Sequence, residues 1–112
     1  MSGPAGLASP IERRPIALSS AQLSLVRQLL DSVLPGATVA VFGSRATGRA
    51  RPHSDLDLLL IEPPRLSWAQ RADLRDAFEA SHLPFTVDLV EAAGLSSGMA
   101  QRVWQEATPL PA

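Results

Sequence analysis

Apolar residues recur at two different periods along the 112-residue chain, and the change of period marks out the elements. From Leu23 through Val26, Leu29, Leu30 and Val33 they come every three or four residues, with Gln22, Arg27, Gln28 and Asp31 between them. That spacing predicts an amphipathic helix with one buried stripe, capped by Ser19 or Ser20 and stopped at Pro35-Gly36. Three short apolar runs read as strands: 38–42 (TVAVF), 55–61 (DLDLLLI) and 85–90 (FTVDLV). Ser67 followed by Gln70 forms a capping box before a second long helix that runs to about Ala80, with Leu74, Ala77 and Phe78 as its stripe. A last helix begins at Ser96 or Ser97 and carries Met99, Val103, Trp104 and Ala107 at helical spacing. Residues 43–54 read either as a turn with a short helix or as a long loop. The order is helix, strand, short helix, strand, helix, strand, helix, with no internal repeat. It predicts one α/β (α+β) domain, a small sheet with helices packed on it.

Pro4, Pro10 and Pro15 lie among small residues, so 1–18 reads as a flexible tail with a docked stretch around Ile16 and Leu18. The domain is expected over 19–108, with 109–112 as a C-terminal tail after Pro109.

Composition narrows the function. Apolar residues make up 46% and charged residues 19%, which suits a folded chain rather than a disordered one. The net charge of -1 excludes a strongly basic coat for nucleic acid, and direct nucleic-acid binding is not expected. There is no cysteine, hence no disulfide frame, thiolate zinc site or cysteine nucleophile. No apolar run is long enough to span a bilayer, and the N-terminus has no apolar signal core, so a cytoplasmic protein without membrane association is expected. All ten basic residues are arginine, so no lysine can anchor a phosphate.

The candidate chemistry lies in Gly43-Ser44, ten intervening residues, and Asp55-Leu56-Asp57. Residues two apart in a strand share a face, so Asp55 and Asp57 project together. Two adjacent carboxylates repel unless a cation lies between them, and hard oxygen donors suit magnesium or manganese. Asp88 interrupts another apolar strand, where a lone aspartate is costly to bury. With the two strands adjacent, the three carboxylates form a cluster suited to phosphoryl or nucleotidyl transfer. Gly43 permits close approach to a phosphate, and Ser44 can donate to it. Arg45, Arg49 and Arg51 bring positive charge to the same segment. His53 and His82 read as bystanders. Trp68, Trp104, Met99 and Phe78 read as core or interface, with Trp104 the one placed to anchor a partner.

This arrangement resembles the minimal nucleotidyltransferases of the DNA polymerase β-like superfamily, over roughly residues 20–108. The matching text is VFGSRATGRARPHSDLDLLLI, with Ala46 and Gly48 after the serine, Ser54 before the first aspartate, and Asp88 on the later strand. The resemblance implies a small mixed sheet flanked by helices. It implies a metal-dependent transfer of a nucleoside monophosphate, AMP from ATP, with Mg2+ or Mn2+ held by Asp55, Asp57 and Asp88. Gly43, Ser44, Arg45 and Arg49 would then meet the triphosphate. It further implies an antitoxin role: modification of a tyrosine on a HEPN-domain ribonuclease toxin encoded beside it. Two alternatives remain open from the sequence. One is a binding module that neutralises its partner by contact alone. The other is a transferase acting on a small-molecule or RNA hydroxyl. Self-association is left open.

Overall fold

The computed structural model describes residues 13–111. The first long helix, α1, spans Ser20–Val33 and starts from a reciprocal cap. Ser19 Oγ accepts from the Gln22 N–H at 3.0 Å, and the Ser19 N–H donates to Gln22 Oε1 at 3.0 Å. Leu34 closes it, and Gly36, at φ 78°, turns the chain into strand β1, Thr38–Phe42. Residues 43–54 contain a single helical turn, α2 (Ser44–Thr47), followed by loop. Strand β2 is Leu56–Glu62, helix α3 is Trp68–Glu79 and strand β3 is Val87–Glu91. The predicted Ser67/Gln70 box caps α3. A 3-10 turn at Ala92–Gly94 leads into helix α4, Ser97–Glu106, capped by Ser96.

The strands form one mixed sheet in the order β3-β2-β1-β4. β1 and β2 are antiparallel, with Val39 opposite Leu60 and Val41 opposite Leu58. β2 and β3 are parallel, which the crossover through α3 makes possible. The fourth strand, β4, is Thr108–Pro109, which spans the expected domain end at Thr108 and the start of the expected tail at Pro109. It pairs antiparallel with β1, and Leu110 is buried behind it. Pro109 masks this pairing in the sequence, because proline reads as a strand breaker and is tolerated only at a sheet edge such as this one. Residues 13–18 are docked: the Arg14 N–H donates to Thr108 Oγ1 at 2.9 Å, and the Ala17 N–H to the Arg45 carbonyl at 2.8 Å. The rest of the predicted N-terminal tail, residues 1–12, lies outside the described residues, as does residue 112.

The central strands β1 and β2 are buried on both faces, whereas β3 lies at the sheet edge and is only partly covered, so Asp88 is exposed rather than buried as its apolar strand suggested. Val39, Val41, Leu56, Leu58 and Leu60 pack with Val26, Leu30 and Leu74 of α1 and α3. Ala40 and Leu59 pack on the opposite face with Val103 and Ala107 from α4 and its end. Alternation along β2 therefore places Asp57, in step with Leu59, on the α4 face. Trp104 packs against this second cluster. Trp68 and Met99 do not join a core; they are 87% and 56% exposed.

Thr108 tests whether β4 and the docked segment belong to the folded domain. Its buried hydroxyl accepts from Arg14 N–H and lies 3.3 Å from the Arg14 carbonyl. Thr108→Val keeps the shape and removes both contacts, so chemical denaturation is expected to show a loss of about 1–2 kcal/mol. An unchanged stability would mean the segment contributes nothing to the fold.

Candidate active site

The site is built on the ends of β1, β2 and β3. Gly43 follows β1 with φ 75° and ψ −155°, a conformation that favours glycine. A Cβ there would collide with the Asp57 carboxylate. Glycine is thus required both by the backbone and by the approach of Asp57. The turn continues into α2, whose C-cap, Gly48, is left-handed at φ 79°. Thr47 Oγ1 donates to the Gly43 carbonyl at 2.9 Å and holds the turn closed. Ser44 is half-buried at the start of α2, and its hydroxyl has no hydrogen-bond partner among the described residues.

Register brings the carboxylates together. Phe42 lies opposite Asp57, and Asp57 is paired with Asp88 across the parallel β2–β3 ladder. Neighbouring strands are about 4.8 Å apart, so the two carboxylates interact directly. Burial pushes the Asp57 carboxyl above its ordinary value, and the charges of Asp88, Asp55 and Glu106 add to that push, while Arg102 opposes it. Asp55 is exposed just before β2. Among the described residues, no three acidic or histidine side chains converge into a set that could hold a metal ion as they stand. The donor chemistry nevertheless fits a hard divalent cation: oxygen ligands that repel one another, one of them destabilised as an anion.

Arg45 is not placed to meet a phosphate, contrary to the sequence expectation. It is 5% exposed, and its guanidinium is spent on backbone carbonyls. Nε and Nη2 donate to the Ser54 carbonyl at 3.0 and 2.8 Å, Nη1 donates to Ala17, and Nη2 also reaches Pro52 at 3.1 Å. The group lies 4.1 Å over the Phe85 ring. Burial lowers its pKa and the nearby Asp55 charge opposes that shift. Arg45 therefore ties together the docked N-terminal segment, the loop leading to Asp55 and the segment leading to Asp88. Arg49 is largely exposed, its Nε donating to Thr47 Oγ1 at 3.1 Å, and remains free to swing towards a ligand. Arg51 is exposed, and its N–H donates to Ser54 Oγ.

Two residues absent from the sequence expectation belong to this site. Glu106, at the end of α4, accepts from the Gly43 N–H through Oε1 at 3.1 Å. Arg102, one helical turn earlier, faces the same carboxylate at 3.4 Å. Only the i, i+4 spacing of Arg102 and Glu106 was visible in the sequence, and that reads as an ordinary surface pair. A cleft of about 860 Å³ opens between α3 and β3. Asp55, Asp88, His53, Phe78 and Phe85 are among its walls, whereas Gly43, Ser44 and Asp57 are not. The cleft adjoins the carboxylates from the β3 side rather than from the Gly43 turn.

Two outcomes follow. Arg45→Lys cannot reproduce the forked donation and is expected to lower stability by about 2–3 kcal/mol in chemical denaturation; wild-type stability would show the clamp to be idle. A carboxyl raised in the folded state favours folding below its ordinary value of 3.8 and opposes it once the pH exceeds the folded value. Asp57→Asn is therefore expected to raise the melting temperature at pH 7 in EDTA, with the gain fading towards pH 3. A melting temperature at or below wild type at pH 7 would contradict the electrostatic reading.

The chain is similar in sequence and fold to known proteins. The model of the nucleotidyltransferase domain family matches residues 23–111. The chain is 40% identical over 79 residues to a protein of Haemophilus influenzae named "Probable protein adenylyltransferase MntA", covering 70% of this chain and 69% of that one. A solved structure described as a minimal nucleotidyltransferase is 38% identical with a TM-score of 0.62, over 80% of this chain and 90% of that one. A crystal structure of a toxin–antitoxin with AMP-PNP is 27% identical with a TM-score of 0.65, over 80% of this chain and 72% of that one. The family match over residues 23–111 and the 40% identity to that relative show that the chain belongs to the nucleotidyltransferase domain family.

Proposed function

We propose that this protein transfers AMP from ATP to a hydroxyl of a partner protein, a tyrosine of a HEPN-domain ribonuclease toxin, and so acts as its antitoxin in the cytoplasm. The observation that carries the reading is the pairing of Asp57 with Asp88 beside the Gly43 turn. The relative named as a protein adenylyltransferase supports the reaction class, and the toxin–antitoxin structure with AMP-PNP supports the setting and the nucleotide.

In this reading Asp55 and Asp57 would hold Mg2+ or Mn2+, with Asp88 beside Asp57 on the neighbouring strand. The cation supplies charge neutralisation at the phosphates. Ser44 donates its hydroxyl to the triphosphate, the Gly43 turn gives it room, and Arg49 offsets its charge. The acceptor hydroxyl loses its proton to Asp88 and forms a bond to the α-phosphorus, and the bond to pyrophosphate breaks. The cleft beside Asp88 gives a side chain from a partner access to that carboxylate.

The test is transfer of label from ATP labelled at the α-phosphate, with Mg2+, to the product of the adjacent gene. Label is expected on the partner with wild type. The Asp55→Asn, Asp57→Asn double variant should lower the rate at least about a thousandfold while still binding the partner. A stable complex without label would replace this reading with neutralisation by contact. Label on RNA or a small molecule would move the acceptor elsewhere.

A further inference from the structure

Glu106 is the acidic group of the site that the proposed reaction does not use. Its side chain is 16% exposed, and its two oxygens have separate partners. Oε1 accepts from the Gly43 N–H at 3.1 Å. Oε2 faces Arg102 Nε at 3.4 Å and Arg49 Nη2 at 3.9 Å. Donors from three places in the chain, the glycine turn, the loop after α2 and α4, thus surround one anion beside Asp57. A backbone N–H with two guanidinium groups is also what a phosphate group attracts.

The two arginine contacts are loose. The Arg71–Glu91 ion pair elsewhere in the molecule closes to 2.9 Å. Arg49 and Arg102 are 68% and 77% exposed, so they lean on Glu106 without being locked to it. Exposed pairs of this kind contribute little to stability, and an anion of higher charge would draw the arginines away.

We propose that the Glu106 carboxylate stands in for a phosphate in the nucleotide-free protein, and that Arg49 and Arg102 pass from it to the triphosphate when nucleotide binds. Glu106 keeps the Gly43 N–H throughout and so holds the turn in place. The inference rests on the nucleotidyl-transfer reading, and it adds Arg102, outside the sequence motif, as a nucleotide-binding residue.

Calorimetric titration with ATP, AMP and inorganic tripolyphosphate, each with Mg2+, tests the proposal on wild type, Arg102→Ala and Glu106→Gln. Arg102→Ala should weaken ATP and tripolyphosphate on the order of tenfold and leave AMP unchanged. Glu106→Gln retains an acceptor for the Gly43 N–H and loses the charge, so it should bind tripolyphosphate more tightly than wild type. ATP binding by wild type with equal affinity in Arg102→Ala, or weaker tripolyphosphate binding by Glu106→Gln, would overturn this inference alone. Wild-type protein that binds neither ATP nor tripolyphosphate would overturn both the inference and the reading beneath it.

Discussion

Parallel pairing of β2 with β3 sets Asp57 beside Asp88, and the apolar sheet holds that register against the repulsion between them. Leu56, Leu58, Leu59 and Leu60 are all fully buried, on alternating faces. A slip of one residue would turn three leucines onto the α4 face and Asp57 into the core under α1 and α3. The register is therefore fixed by hydrophobic burial, and the carboxylates are carried along with it. Two like charges held in this way are an unfavourable arrangement, and burial of Asp57 adds to its cost.

The other parts of the site are arranged around that pair. Gly43 lets the chain pass against the Asp57 carboxylate, which no side chain at that position would allow. Arg45 binds the loop before Asp55 and stacks on Phe85, three residues before Asp88, so the approaches to both strands are fastened to α2. Glu106 fastens α4 to the glycine turn from the other side. Thr108 and Arg14 then join the end of α4 to the N-terminal segment. Contacts far apart in sequence thus converge on a turn of a few residues.

Much of this was legible in the sequence because periodicity and caps act locally. The stripe from Leu23 to Val33, the Ser67/Gln70 capping box and the three apolar runs specify α1, α3 and the first three strands within a residue or two. Gly43 located the turn after β1. What escaped depended on tertiary placement. β4 is two residues long and contains a proline, and only its docking beside β1 makes it a strand. Arg45 and Arg49 lie four residues apart with the same charge, yet one is buried among carbonyls and the other faces solvent; sequence alone does not separate them. Glu106 reaches Gly43 across sixty-three positions, a distance no local pattern records. Trp68 and Met99 show the converse, since large apolar side chains at helical spacing can remain outside the core.

The most direct test of the central claim is an anomalous difference map from crystals grown with Mn2+ and a non-hydrolysable ATP analogue. Manganese is expected at Asp55 and Asp57, with the triphosphate against Ser44 and the Gly43 turn and Asp88 facing the α-phosphate. A well-ordered nucleotide with its phosphates away from the Gly43 turn, and no manganese at Asp55 and Asp57, would contradict it.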